Sequence, residues 1–295
     1  MRQVLNYKIN HWNFQHLLGL LLLTIVCYWP LTFEIFSAKN DNITQFLPVR
    51  FHVSEALRAG HLPLWSPYMY LGYPIHGDMQ GGAWNPVVWI LSIFGRYNVS
   101  SLHWEILISI FIAGAGMYRL LGIKNISPVL QLAGASAYIM CGYITDVAGS
   151  NLPFLWAAAY IPFVLAYFYE AVTGGGLGYG IKTGIALSLL FVSAYPSFFI
   201  LTIYVLAAAF IFVIVRRILA KDYKSLKQIL IANTVMTACF LGLSAAAIFS
   251  YLHVLPFYAR GAGVPERAGR VGAEARCGHV GAERCEGRMI ERMHV

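Results

Sequence analysis

The chain has 295 residues, 58% hydrophobic and 12% charged, with a mean hydropathy of +0.62 and a formal net charge of +8. A soluble domain carries about twice that charged fraction. The composition therefore excludes an ordinary water-soluble domain, a disordered chain and a small disulfide-stapled module, and it points to a polytopic membrane protein. In such a chain the basic excess is read as membrane topology, and no nucleic-acid partner is expected.

Arg2 and Lys8 precede a long apolar run with no small-x-small cleavage site, so the run reads as a retained first helix, at about 16–36. Further apolar stretches lie at about 101–121, 128–146, 152–171, 180–196, 197–215 and 229–256. That makes about seven spans, each near the length a bilayer crossing requires. Tyr195-Pro196-Ser197 separates two of them as a tight hairpin or a broken element. The stretch 84–94 is too short to span and fits an interfacial or re-entrant helix. With the N-terminus in the cytoplasm, Arg119, Lys124, Lys182, Arg216, Arg217, Lys221, Lys224 and Lys227 fall inside. Lys39, Arg50, Arg58 and Arg96 fall outside. This is the positive-inside pattern, and it predicts a multi-pass protein of a cytoplasmic membrane, with the lipid bilayer as its first partner.

Residues 1–260 thus read as one all-α transmembrane domain. The first outer loop, at about 37–100, is its longest polar segment, and long connections of this kind are often functional. Within it, 43–59 has apolar side chains near helical spacing and ends at Gly60, which predicts an amphipathic juxtamembrane helix with Arg50, Glu55 and Arg58 toward water. The rest of the loop is rich in Pro, Gly and aromatic residues, and should hold one defined shape. Its Trp65, Tyr68, Tyr73 and Trp84 suit a membrane interface, and equally suit stacking on sugar rings. Glu34 and Glu105 lie near the outer ends of helices, where they could reach the headgroups.

Beyond residue 260 the text changes. The segment 261–295 is rich in Gly, Ala, Arg and Glu and has no Leu, Phe, Tyr or Trp. It is expected to be disordered, and the abrupt switch suggests a shifted reading frame. Cys27, Cys141 and Cys239 sit in apolar stretches and Cys277 and Cys285 in this tail. With no C-x-x-C pair, a structural metal site is not expected.

The loop reads DNITQFLP at 41–48, LRAGHLPLWSPYMYLGYP at 57–74 and GGAWNP at 81–86. These motifs resemble the bacterial YfhO-type membrane proteins, of the GT-C class of polytopic glycosyltransferases. The resemblance covers roughly 15–260. It implies transfer of a sugar from a polyprenyl-phosphate carrier to a cell-envelope polymer or lipid at the extracytoplasmic face of a bacterial inner membrane. It also implies that Asp41, just after the first helix, is the essential acidic residue.

Independently of the resemblance, attack at an anomeric carbon wants a carboxylate to deprotonate the acceptor, and Asp41 sits at a helix exit where lipid and water meet. The leaving phosphate wants cations, for which Arg50, Arg58 and His61 are candidates. Trp65, Tyr73 and Asp78 complete the expected substrate-binding set. A divalent cation, Mg²⁺ or Mn²⁺, held by Asp41 with Asp78 or Asp146 suits carboxylate chemistry. Two other readings stay open: a transporter or flippase of lipid-linked sugars, and an inactive fragment of a longer transferase.

Overall fold

A computed structural model describes residues 14–69, 72–124, 126–174 and 176–257. The tail at 261–295 lies outside the described residues, as do Arg2 and Lys8. The described chain is all helix and loop. The nearest approach to a sheet among the described residues is one antiparallel bridge between Ser66 and Tyr73.

The helices are α1 Phe14–Cys27, α2 Trp29–Thr32, α3 Leu47–Arg58, α4 Pro86–Phe94, α5 Val99–Gly122 and α6 Pro128–Ile139. They continue with α7 Gly142–Ser150, α8 Leu152–Thr173, α9 Leu177–Ser193, α10 Pro196–Leu219 and α11 Tyr223–Val254. Four of these, α5, α8, α10 and α11, are long and apolar enough to cross a membrane, and α1 and α9 are shorter apolar helices. The expected span at 128–146 is two helices, α6 and α7, interrupted at Met140–Cys141. Tyr28 donates its hydroxyl to the Ile139 carbonyl at 2.6 Å, which satisfies one of the acceptors that the interruption frees. The first apolar stretch likewise ends its main helix at Cys27, and Pro30, three residues on, belongs to the separate turn α2.

Local sequence explains the helix starts. Pro stands in the first turn of α3, α4, α6, α8 and α10, where its missing N–H costs nothing. Asn85 and Asn98 cap α4 and α5, accepting from Val87 N and Ser101 N, each at 2.9 Å. Helix α3 stops at Gly60, whose φ of +77° is in the left-handed region, and the His61 N–H reaches back to the Ala56 carbonyl at 2.9 Å.

The core is a relay of helix pairs: α6 against α5, α5 against α8, α8 against α9, and α9 against α11. Small residues permit the closest approaches. A Cβ on Gly116 of α5 would stand 3.2 Å from the Ala159 carbonyl of α8, and one on Gly184 of α9 would stand 2.7 Å from the Met236 carbonyl of α11. Gly180, four residues before Gly184, meets the Ala232 carbonyl in the same way. This small-x-x-x-small spacing suits helix association in lipid. By contrast α10 and α11 bury little of their apolar length, and Leu201, Tyr204, Ile211, Phe249 and others face outward.

Helix α8 carries Pro162 in its interior. Proline leaves the carbonyl four residues earlier, that of Ala158, without its helical donor. Tyr138 of α6 supplies the replacement, donating its hydroxyl to the Ala158 oxygen at 3.0 Å. A polar group freed within an apolar bundle is thus satisfied from a neighbouring helix.

Candidate functional site

The loop between α2 and α5 packs over one end of the bundle, and it holds every sequence-predicted site residue except Asp146. Its first anchor is Asn42, which is fully buried. The Asn42 amide donates to the Ala148 carbonyl at 3.1 Å, and its oxygen accepts the Leu152 N–H at 2.8 Å. Lys39 N donates to the Gly149 carbonyl at 2.8 Å. Residues 39–42 are therefore stitched to the end of α7 and the start of α8.

Asp41 lies between these anchors and stays exposed. Asn151 donates to its Oδ2 at 3.3 Å. Ala148 and Gly149, which bond this segment, also line a mostly apolar cleft of about 330 Å³ between α1–α2 and α7, with Tyr28, Leu31, Met140 and Thr145. Asp146 is exposed on α7, three residues before Gly149.

From Asp41 the chain runs as one helical rod, a π-helical turn Asn42–Phe46 followed by α3. Arg58 is seventeen residues along that rod from Asp41, or about 25 Å at the usual helical rise. His61 lies beyond it. Both are exposed, and Arg58 points to the Ser92 carbonyl of α4 at 3.5 Å, over a cleft of about 470 Å³ shared with Leu57, Trp89 and Ile93. The structure does not bring Arg58 or His61 to Asp41.

Arg50 corrects the expected helix face. It does not point to water: it is fully buried, with Nε 2.9 Å from Glu105 Oε2. The same carboxylate accepts from the Tyr97 hydroxyl and, at 2.9 Å, from Trp156 Nε1 of α8. Burial, then the adjacent Glu105, push the Tyr97 phenol well above its ordinary pKa, so it stays a donor. Phe46 places its ring 5.4 Å from the Arg50 guanidinium. Glu105 therefore turns into the bundle, not up to the headgroups, because a buried guanidinium needs a counter-charge.

Asp78 flanks this cluster. Its Oδ1 accepts the Gln80 N–H at 2.9 Å, and Tyr73 hydrogen-bonds to it. Burial raises the Asp78 pKa above the usual carboxylate value, although the backbone N–H groups of Gln80 and Gly81, Tyr73 and the nearby Arg50 charge all pull the other way. Asp78 thus belongs with Arg50, nine residues along the rod from Asp41 and about 13 Å from it. Among the described residues, no group of three or more His, Cys, Asp or Glu side chains is close enough to hold a metal ion.

Trp65 and Tyr73 belong to a hairpin-like turn. Ser66 and Tyr73 exchange N–H···O bonds of 2.8 Å, and the Trp65 ring lies so close over Gly72 that no Cβ fits there. Gly72 has a φ of +122°, which a side chain rarely adopts. Trp65 keeps 55% of its surface exposed, with its carbonyl held by His52 Nε2 at 3.0 Å. His76 Nδ1 meets the Leu64 carbonyl at 2.7 Å, and the His76 carbonyl accepts from Trp84 Nε1 at 2.9 Å. The loop is thus cross-tied by its own aromatic and histidine side chains.

Sequence reasoning gave no site role to Lys39, Asn42, Tyr97, Asn151 or Trp156. The one readable signal was Asn151-Leu152-Pro153, a helix-start pattern that places Asn151 at the start of α8. No family model, no curated protein and no solved structure matches the chain.

Proposed function

We propose that the protein is a membrane glycosyltransferase of the YfhO type. In this reading it moves a sugar from a polyprenyl-phosphate-linked donor to a cell-envelope acceptor at the extracytoplasmic face of a bacterial inner membrane. The chain crosses that membrane about seven times with its N-terminus in the cytoplasm, the shorter helices α1 and α9 and the broken α6–α7 pair completing the four long spans. The observation that carries the reading is the exposed Asp41 carboxylate, held by Asn151 on a segment bonded to the lining of an apolar cleft.

In this scheme the donor's first isoprenyl units enter the cleft between α1–α2 and α7, so that its phosphate lies at the membrane surface beside Asp41. An acceptor hydroxyl attacks the anomeric carbon. Asp41 takes the hydroxyl proton as the new C–O bond forms, and the bond from the anomeric carbon to the phosphate oxygen breaks, leaving the phosphate on its lipid. General-base help of this kind is worth roughly 10²–10⁴-fold. Lys39, exposed two residues before Asp41, is the cation this scheme assigns to the leaving phosphate. That role moves away from Arg50, which is spent on Glu105, and from Arg58 and His61, which lie at the far end of α3. Arg58, His61, Trp65 and Tyr73 instead suit the acceptor, with Trp65 offering a ring face for a sugar. Asp78, tied to Tyr73 and next to Arg50, supports that wall. A hard divalent ion would draw on Asp146 of α7, three residues before the Gly149 that bonds the Asp41 segment, and no step above depends on one.

The test is transfer of radiolabelled sugar from a polyprenyl-phosphate donor to envelope lipids in membranes carrying the protein. Asp41→Asn should lower transfer by at least about 10²-fold while membrane insertion stays intact. Wild-type transfer in that variant would refute the assignment. Uptake of lipid-linked sugar into vesicles without any new glycosidic bond would identify a transporter instead.

A further inference from the structure

At the opposite end of the bundle, away from the loop, an apolar cleft of about 560 Å³ opens between α8, α10 and the end of α5. Its walls include Leu121, Leu165, Phe168, Leu206 and Val213. The Thr173 hydroxyl on its rim is spent on the Tyr169 carbonyl at 2.8 Å. The volume lies within the range of small-molecule sites, and the cleft faces outward on the flank of α10, the helix that buries only 11% of its apolar window.

Two cations flank the cleft, Lys124 as part of its lining and Arg216 through the ring of the lining residue Phe212. Lys124 lies 5.0 Å over the Tyr169 ring, and Arg216, one turn beyond Val213, lies 5.8 Å over the Phe212 ring. Both are exposed, and among the described residues neither has an acidic partner. Their neighbours differ: Arg119 is paired with Glu170 and Arg217 with Asp222. The mouth therefore carries two uncompensated positive charges above an apolar slot, at the end of the bundle that the charge bias places in the cytoplasmic leaflet.

We propose that this cleft is a binding site for one anionic phospholipid of the bilayer, with an acyl chain along α8 and α10 and the phosphodiester between Lys124 and Arg216. An apolar slot alone would accept any lipid tail. The two unpaired cations select the headgroup charge, and the rings beneath them hold both side chains at the mouth. The site is independent of the transfer reaction and would stand if that reading failed.

The test uses the full chain, purified in detergent and stripped of lipid, then titrated with dioleoyl phosphatidylglycerol or dioleoyl phosphatidylcholine and read by native mass spectrometry. One phosphatidylglycerol should bind at least about tenfold more tightly than phosphatidylcholine. Lys124→Gln and Arg216→Gln should each weaken phosphatidylglycerol about fivefold and leave phosphatidylcholine unchanged. Ala209→Trp, which fills the slot, should remove the tight site for both. Equal binding of the two lipids by the wild type, or unchanged phosphatidylglycerol binding in the Lys124→Gln/Arg216→Gln double variant, overturns the proposal.

Discussion

Arg50 shows what burial does to a charged side chain. A lone guanidinium in an apolar bundle costs several kcal/mol, so it is retained only with a counter-charge. Glu105 provides it, and Tyr97 and Trp156 satisfy the carboxylate's remaining capacity. The four groups tie α3, the loop before α5, α5 itself and α8 into one knot. Glu105→Gln keeps an acceptor for Trp156 but removes the carboxylate that pairs directly with Arg50. It should destabilise the protein by about 3–5 kcal/mol, read as a lowered unfolding midpoint in detergent. The paired Arg50→Met/Glu105→Met variant should recover most of that loss, since an apolar pair needs no charge balance. A Glu105→Gln protein as stable as the wild type would remove the ion pair from any structural role.

At the scale of the helix, Pro162 and Tyr138 form a matched pair. The proline deletes a backbone bond inside α8, and the tyrosine of α6 supplies the donor. Tyr138→Phe should leave the Ala158 carbonyl unpaired and cost about 1–3 kcal/mol. Pro162→Ala restores an N–H at that place, so Tyr138→Phe should be much cheaper in that background. A double-mutant cycle measures the difference, and additive effects would show that the two residues are not coupled. The Asn residues at 42, 85 and 98 work at this scale too. Each spends its side chain on helix-end or loop backbone, so Asn42 and Asn98, which also open Asn-x-Ser/Thr triplets, have structural duties that the triplet alone does not convey.

For the whole molecule, the charge bias and the two dissimilar ends of the bundle make one topological prediction. The loop end, with Asp41, His61 and Trp65, should be extracytoplasmic, and the basic end, with Lys124, Arg216 and Lys221, cytoplasmic. In a background with the native cysteines replaced, His61→Cys should react with a membrane-impermeant maleimide on intact cells. Lys221→Cys should react only after permeabilisation. The reverse pattern would invert the protein and take Asp41 away from the face where the proposed transfer occurs.

Much of this is legible in the sequence alone. Apolar composition dictates a helical bundle, since backbone groups in hydrocarbon must pair within their own segment. Proline in a first turn marks where helices begin, and Gly60 marks where α3 ends, because these are steric rules of single residues. The face that α3 turns inward was not legible, because a pattern of period 3.6 cannot tell a charged residue facing water from one facing a partner of opposite charge. Asp41 finds Asn151 across 110 residues and Glu105 finds Trp156 across 51. Such partners are chosen by how distant helices pack, and so are the gaps left between them: the cleft beside Asp41 and the slot beneath Lys124 exist only once α1, α7, α8 and α10 have taken their places.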